Sequence, residues 1–193
     1  MPSAKKRDVI FIDRDGVINE DPIGDYVKRW EDFRFIPGTV DALKRLSQSG
    51  FDVVIISNQA GIGDGVYSEK TLQEITRNML AALKKGGVNV RAVYYCLHGK
   101  EANCDCRKPK TGLFKKAAAD IKFDPRETFF IGDKLSDVHA GHSFGLRTLF
   151  VLTGHGANDR PQLSKNKQPE GIFASLKEAV DYVLQNGISW RRS

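Results

Sequence analysis

Three features of the sequence predict an α/β fold with a doubly wound parallel sheet. Strand-like and helix-like segments alternate from Asp8 to Gln185, the order expected when a crossover helix follows each parallel strand. Most strand-like segments are continuous apolar runs, typical of strands that helices cover on both faces. The chain has 193 residues with 40% hydrophobic content, enough for one full core. We therefore expect residues 1–193 to form a single domain.

Five apolar runs are the predicted strands, and the segments between them are the predicted helices. Glycine follows the helical pattern repeatedly, as a C-terminal stop does. The predicted strands cover residues 9–13, 51–57, 91–96, 128–132 and 148–152. The predicted helices cover residues 39–48, 68–85, 112–121, 136–144 and 176–184.

Three segments lack this alternation, namely residues 19–38, 97–111 and 153–171. Loops longer than about twelve residues inside a compact domain are usually functional or mobile. The first two directly follow predicted strands, so we expect them to contact the substrate. No long insertion separates the segments, and any cap over the site must be minimal.

Composition and charge exclude several classes of protein. The net charge is +6, but five of these charges come from the two ends of the chain, which leaves about +1 for the rest and argues against a nucleic-acid surface. No apolar stretch approaches the roughly 20 residues that span a bilayer, and the N-terminus lacks the core of a signal peptide. We expect a cytoplasmic protein without a membrane or nucleic-acid partner.

The first predicted strand leads directly into Asp13 and Asp15, two carboxylates two residues apart. A carboxylate that acts as a nucleophile on a phosphate ester forms an acyl phosphate, and a second carboxyl group can protonate the leaving oxygen and later activate water. Such pairs also occur by chance in solvated turns and at helix N-caps. The rest of the chain favours the chemical role.

Polar residues follow the other predicted strands as well, and ligands bind at the carboxyl ends of strands in an open parallel sheet. In phosphoryl transfer to water, Asp13 would attack phosphorus, while Ser57 and nearby amides would hold the phosphate oxygens and Lys108 would neutralise the remaining charge. Asp13, the backbone carbonyl of Asp15, and Asp133 would hold a divalent cation. An oxygen-only site of this kind suits Mg²⁺.

The three cysteines and one histidine lie within eleven residues, as Cys96-x-His98 and Cys104-x-Cys106. Three sulfurs and an imidazole suit tetrahedral Zn²⁺ with no open position, which implies a structural site. The one-residue gaps differ from common zinc-finger spacing, so buried free thiols remain an alternative.

Several of these residues also have simpler interpretations. Ser57, Asn58 and Gln59 are compatible with an ordinary strand end, and Asp133 with a helix N-cap near Ser136. Asp137 fits either the cation site or a supporting position. Gly61 and Gly63 form a Gly-x-Gly pair, which is a weak signal of a phosphate loop. Surface or capping roles are expected for three histidines without ligand spacing: His139, His142 and His155.

Four ordered motifs resemble those of the haloacid dehalogenase superfamily of aspartyl-phosphate phosphatases. They are Asp13-Arg14-Asp15-Gly16-Val17-Ile18, Ser57-Asn58-Gln59, Lys108, and Gly132-Asp133-Lys134-Leu135-Ser136-Asp137. Within that superfamily, the segments around residues 57–62, 94–98 and 104–109 resemble the D-glycero-D-manno-heptose 1,7-bisphosphate phosphatases. The resemblance covers residues 8–153, and the loop between His98 and Cys104 is short compared with that of some family members.

The resemblance implies a haloacid dehalogenase-like Rossmannoid fold with a minimal cap and a zinc-binding loop over residues 96–106. It implies that Asp13 is the nucleophile and Asp15 the general acid and base, with Mg²⁺ held by Asp13, Asp15 and Asp133. It further implies Zn²⁺ at Cys96, His98, Cys104 and Cys106, and substrate contacts from Ser57, Asn58, Arg107, Lys108 and Lys134.

The substrate implied is a small sugar phosphate, the heptose 1,7-bisphosphate whose C7 phosphate is removed on the way to nucleotide-activated heptose and lipopolysaccharide. We expect a monomer. Histidinol phosphate is the closest alternative, because phosphatases for that substrate have similar motifs and a similar zinc loop. A non-catalytic zinc-stabilised binding module and a polynucleotide 3′-phosphatase fit less well.

Overall fold

The computed structural model describes residues 8–22, 24–165 and 167–186. Its strands are β1 (Asp8–Ile12), β2 (Phe51–Asn58), β3 (Val90–Cys96), β4 (Phe129–Gly132), β5 (Arg147–Val151) and β6 (Gly171–Phe173). All pair in parallel, in the order β3-β2-β1-β4-β5-β6. The predicted parallel sheet is confirmed. β6 was not predicted, because it has three partly exposed residues and no apolar run.

The helices are α1 (Thr39–Gln48), α2 (Ala60–Gly63), α3 (Glu69–Lys85), α4 (Gly112–Asp120), α5 (Leu135–Phe144), α6 (Gly156–Asp159) and α7 (Leu176–Asn186). The five longer helices are those predicted. Ser68 caps α3 by accepting the Thr71 N–H, and Gly145 ends α5 in the left-handed conformation. The sequence does not reveal α2 and α6, because a single turn shows no helical periodicity.

Helices cover both faces of the sheet, as the continuous apolar strands require. On one face α1, α3 and α7 pack over Ile10 and Ile12 of β1. On the other face α4 and α5 pack over Val9 and Phe11. Successive β1 side chains thus belong to opposite layers of the core, and none of these four is more than 5% exposed.

The direction of winding reverses at β1. From β1 the chain passes to β2 and β3 on one side, and it then returns to place β4, β5 and β6 on the other. The carboxyl ends of β1, β2 and β4 are therefore neighbours, and such a switch point is where open α/β sheets bind ligands. The described parts of the segments after β1, β3 and β5 contain no helix longer than four residues, so the cap is minimal.

The helices of the described ranges are all too short or too polar to cross a lipid bilayer.

Candidate active site

A buried group of one lysine and three aspartates lies at the carboxyl end of β1. Lys108 Nζ is 2.8 Å from Asp13 Oδ1 and 2.6 Å from Asp137 Oδ1, and it donates to the Ile56 carbonyl at 3.1 Å. All four charged side chains belong to residues no more than 3% exposed. The carboxylates of Asp13, Asp133 and Asp137 lie within 4.8 Å of one another, close enough to bind one cation together.

Burial changes the protonation of these carboxylates. It raises the pKa of Asp13 to about 6, an effect that Lys108 reduces and Asp137 increases. Burial, together with the charges of Asp137 and Asp13, also holds the pKa of Asp133 well above its ordinary value. The buried Asp133 Oδ1 accepts no hydrogen bond from any described residue. This oxygen is a buried acceptor that lacks a donor, and it lies beside two further carboxylates. A bound cation would compensate the negative charge of all three groups.

Asp133 is held in place by two glycines and by the segment after β5. Gly16 and Gly154 have φ values of 84° and 55°, and a Cβ on either would lie about 2 Å from Asp133 Oδ2. The same oxygen accepts the His155 N–H at 2.8 Å. Asp133 is therefore not the N-cap considered from the sequence, since Lys134 occupies that position at the start of α5.

Asp15 lies beside Asp13 in sequence, but its carboxylate faces a different set of partners. Arg14 donates to Asp15 Oδ1 from Nη2 at 2.8 Å, and Asn19 donates to the same oxygen at 3.0 Å. Gln59 Nε2 donates to Oδ2 at 2.7 Å. Burial would raise the pKa of Asp15, but Arg14 and these hydrogen bonds outweigh it and lower the pKa. The side chain is held as a carboxylate in this structure.

The end of β2 supplies Ser57 and Asn58. Ser57 Oγ lies 3.4 Å from Asp15 Oδ2 and lines the cleft. Asn58 also lines the cleft, but its amide is engaged with the backbone of Lys108: Nδ2 donates to the Lys108 carbonyl, and Oδ1 accepts the Lys108 N–H, both at 3.1 Å. Asn58 thus positions the lysine that contacts Asp13.

The other predicted substrate residues, Arg107 and Lys134, line the same cleft of about 350 Å³. Arg107 Nη1 is buried and has no partner among the described residues. Lys134 Nζ lies 2.9 Å from Asp21 Oδ2, and His155 Nε2 lies 3.2 Å from that oxygen. The structure therefore brings every predicted substrate residue to one cleft.

The predicted zinc ligands also converge. Cys96 Sγ is 3.5 Å from Cys104 Sγ and 3.1 Å from Cys106 Sγ, and His98 Nδ1 is 3.2 Å from Cys106 Sγ. Ligand atoms around tetrahedral Zn²⁺ are separated by about 3.5–3.8 Å. Four soft ligands at this spacing could hold one such ion.

This cluster lies next to two cations of the cleft along the chain. Arg107 and Lys108 directly follow Cys106, and Gly63 at the end of α2 packs against Gly99 of the same loop. A Cβ at Gly63 would lie 2.0 Å from Gly99 N. Gly63 of the Gly-x-Gly pair thus provides room for close packing against this loop.

Sequence analysis missed several residues of the cleft. His155 was expected to be a surface or capping residue; it is the N-cap residue of α6, and it also lines the cleft, which the sequence did not indicate. Asp21 and Tyr26 lie in the loop after β1, whose length alone indicated substrate contact. Lys100 lies in the segment after β3, which was expected to contact the substrate for the same reason. Gln59 also lines the cleft, and it belongs to the Ser57-Asn58-Gln59 motif, although sequence analysis assigned it no separate role.

Comparisons with known proteins agree with this geometry. A family model described as HAD-hydrolase-like matches residues 105–179. A D-glycero-β-D-manno-heptose-1,7-bisphosphate 7-phosphatase of Haemophilus ducreyi is 37% identical over 182 residues, covering 90% of this chain and 97% of that protein. A 7-phosphatase of Photorhabdus laumondii named for the α anomer is 36% identical over 159 residues, covering 78% of this chain and 86% of that protein.

A solved structure is also similar over nearly the whole chain. The D,D-heptose 1,7-bisphosphate phosphatase from B. bronchiseptica, complexed with magnesium and phosphate, matches with a TM-score of 0.86 and 32% identity. The match covers 92% of this chain and 98% of that one. Sequence and fold therefore point to the same relatives.

Proposed function

Because the chain belongs to the heptose-1,7-bisphosphate 7-phosphatases, a family of haloacid dehalogenase-like hydrolases, we propose that it removes the C7 phosphate of D-glycero-D-manno-heptose 1,7-bisphosphate. One observation carries the proposal: Asp13 is buried at the switch point of the sheet with Lys108 Nζ at 2.8 Å, and Asp15 lies two residues further along. This is the arrangement that an aspartate nucleophile and its acid and base partner require.

In the first step, an Asp13 carboxylate oxygen attacks phosphorus, and the bond from phosphorus to the C7 oxygen breaks. Asp15 delivers a proton to that oxygen, and the sugar leaves as an alcohol. Water then attacks the aspartyl phosphate while Asp15 takes up a proton, which releases orthophosphate and restores Asp13. Asp15 faces Arg14 in this structure, so acid catalysis requires its carboxyl group to turn toward the leaving oxygen and carry a proton.

The charged residues of the cleft have separate tasks. Lys108 stabilises the negative charge that accumulates on Asp13 and the transferred phosphoryl group. Ser57 donates its hydroxyl to a phosphate oxygen. Arg107 and Lys134 reach the open part of the cleft, where the second phosphate and the sugar bind. The partnerless Arg107 Nη1 supports this assignment, because phosphate supplies the acceptor that the protein lacks.

We assign Mg²⁺ to Asp13, the backbone carbonyl of Asp15, and Asp133, with Asp137 near this group. The partnerless Asp133 Oδ1 and the short distances among the three carboxylates support the assignment. When bound, Mg²⁺ reduces the repulsion between the nucleophilic carboxylate and the phosphate. The similar B. bronchiseptica enzyme was crystallised with magnesium and phosphate.

We assign a structural Zn²⁺ to Cys96, His98, Cys104 and Cys106, because their ligand atoms already surround one point. The metal would fix the loop from which Arg107 and Lys108 enter the cleft. Free thiols such as these persist in reducing compartments, so we place the enzyme in the cytoplasm, as a monomer that supplies a precursor of nucleotide-activated heptose.

The test is kcat/KM for the α and β anomers of the heptose bisphosphate, measured beside histidinol phosphate. We expect one or both anomers to be hydrolysed at C7 far more efficiently than histidinol phosphate, with Asp13→Asn as the inactive control. Efficient turnover of histidinol phosphate with none of the bisphosphate would refute the substrate. The absence of turnover on any phosphate monoester would favour a binding module.

A further inference from the structure

A hydrogen-bonded pair beside the active site has no part in the reaction described above. Gln59 follows β2 and is only 2% exposed, and Tyr67 precedes α3 and is half-buried. Gln59 Oε1 accepts from Tyr67 Oη at 2.5 Å and from Arg14 Nη2 at 3.0 Å. Gln59 Nε2 donates to Asp15 Oδ2 at 2.7 Å and to Ser57 Oγ at 2.9 Å. The amide of Gln59 thus connects Asp15, the proposed general acid and base, with Ser57, which is proposed to bind the phosphate.

The neighbours of Gln59 decide which way its amide faces. An ionised carboxylate only accepts hydrogen bonds and a guanidinium only donates them, so the amide nitrogen faces Asp15 and the oxygen faces Arg14. Tyr67 must then be a donor to the amide oxygen. Burial raises the pKa of Tyr67 to about 12, which keeps its proton in place for that bond.

The same orientation determines what Ser57 can do. Its oxygen accepts a hydrogen from Gln59 Nε2, so its own hydrogen is left for another acceptor. Asp15 Oδ2 is 3.4 Å away from Ser57 Oγ, which is long for an O–H···O bond. The hydroxyl hydrogen of Ser57 is therefore available to a phosphate oxygen in the cleft.

We propose that Gln59 and Tyr67 are positioning residues, which set the direction of the hydrogen bonds at Ser57 and Asp15 so that Ser57 donates to the substrate phosphate. The inference rests on the proposed function for the role of Asp15. Tyr67 acts through Gln59, and Gln59 acts through Ser57 and Asp15.

This pair is also in contact with the loop that faces the substrate. The ring of Tyr67 lies 5.9 Å from the ring of Tyr26, which lines the cleft. Gly61 makes room for both rings, because a Cβ there would lie 2.3 Å from Tyr67 Cε1 and 3.2 Å from Tyr26 Cγ. The position of the substrate-facing loop is thereby linked to the amide that orients Ser57.

The first test is Tyr67→Phe, which removes one hydroxyl and keeps the ring. We expect kcat to fall, and the Kd of the Mg²⁺-loaded protein for orthophosphate to rise, each by up to about tenfold, the equivalent of one ordinary hydrogen bond. The melting temperature should stay close to that of the wild type. Tyr94→Phe is the matched control, because Tyr94 bonds Asp120 at 2.8 Å outside the cleft. It should change neither kcat nor the orthophosphate Kd.

The second test is a double-mutant cycle with Gln59→Met, or with Gln59→Asn should the methionine variant fail to fold. If Tyr67 acts through Gln59, adding Tyr67→Phe to that variant changes the orthophosphate Kd and kcat by less than about twofold. Multiplicative effects would overturn the proposal, as would wild-type values for Tyr67→Phe alone. Orthophosphate binding is measured by calorimetry, so a wild type that fails on heptose bisphosphate refutes the substrate and leaves this test intact.

Discussion

Lys108 contacts the buried carboxylates of both Asp13 and Asp137, and its removal provides a quantitative test. Its side chain is 2% exposed and forms ion pairs with Asp13 and Asp137, each also buried. Lys108→Met keeps most of the aliphatic stem and removes the charge. The variant would hold three carboxylates within 4.8 Å of one another with no lysine between them.

The expected loss follows from this burial. Removing one partner of a buried ion pair costs about 3–5 kcal/mol, because the other charge is left uncompensated. For a chain of this size each kcal/mol changes the melting temperature by about 2–4 °C, so we expect a decrease of roughly 6–20 °C in the presence of a chelator. A divalent cation should recover more of the melting temperature in the variant than in the wild type, since it replaces part of the lost positive charge.

The loss should depend on pH in a defined direction. The pKa of Asp13 is raised from its ordinary value of 3.8 to about 6, so the folded protein binds this proton more tightly than the unfolded chain does. Protonation of Asp13 therefore stabilises the folded state at low pH, and this stabilisation is lost as the pH rises through 6. Lys108 lowers this pKa, and without it the pKa rises further. The difference between variant and wild type should therefore be small near pH 4 and grow toward pH 8.

The assay is thermal unfolding in chelator at several pH values, with Lys177→Met as the control. Lys177 has a 62% exposed side chain and pairs with Asp181 at 3.4 Å on the surface of α7, so its loss should cost no more than about 1 kcal/mol. A wild-type melting temperature for Lys108→Met at pH 8, or an equal loss at pH 5 and pH 8, would refute the electrostatic argument.

Three further predictions concern the nucleophile, the zinc loop and a surface ion pair. Asp13→Asn should lower kcat by several orders of magnitude in steady-state kinetics. Asp15→Asn should slow both leaving-group protonation and hydrolysis of the intermediate, which single-turnover kinetics separate. A wild-type kcat in either variant would show that the residue does not have its assigned role. Cys106→Ala should lose its stoichiometric zinc in elemental analysis, and both its kcat/KM and its melting temperature should fall. Arg107→Ala should lower kcat/KM alone. A zinc-free Cys106→Ala protein with unchanged activity and stability would contradict the positioning role of the loop. Hydrogen bonds from Arg147 and Tyr182 lower the pKa of Glu170 below its ordinary value of 4.5. Glu170→Gln should therefore have a lower melting temperature than the wild type at pH 7, and the two melting temperatures should become equal once the pH falls below that lowered pKa. A difference in melting temperature that does not depend on pH would count against this pairing.

Local patterns in the sequence were sufficient to predict the strands and the longer helices that form the layers of the fold. The continuous apolar runs predicted five strands to within one residue at each end, because strands covered on both faces need apolar side chains in both directions. α1 begins and ends where predicted. Strand ends also located Asp13 and Ser57, since the carboxyl edge of a parallel sheet collects the residues that follow each strand.

The sequence by itself also determined which residue types meet: the aspartates after β1 and β4, the cations after the zinc loop, and the Cys and His cluster, whose ligands are close along the chain. Only the tertiary structure decided how they pair. Lys108 is 95 residues from Asp13, and Tyr67, Gln59 and Asp15 come from three different loops. Loops have no periodicity, so hydrogen bonds between them depend on where the rigid sheet holds their ends.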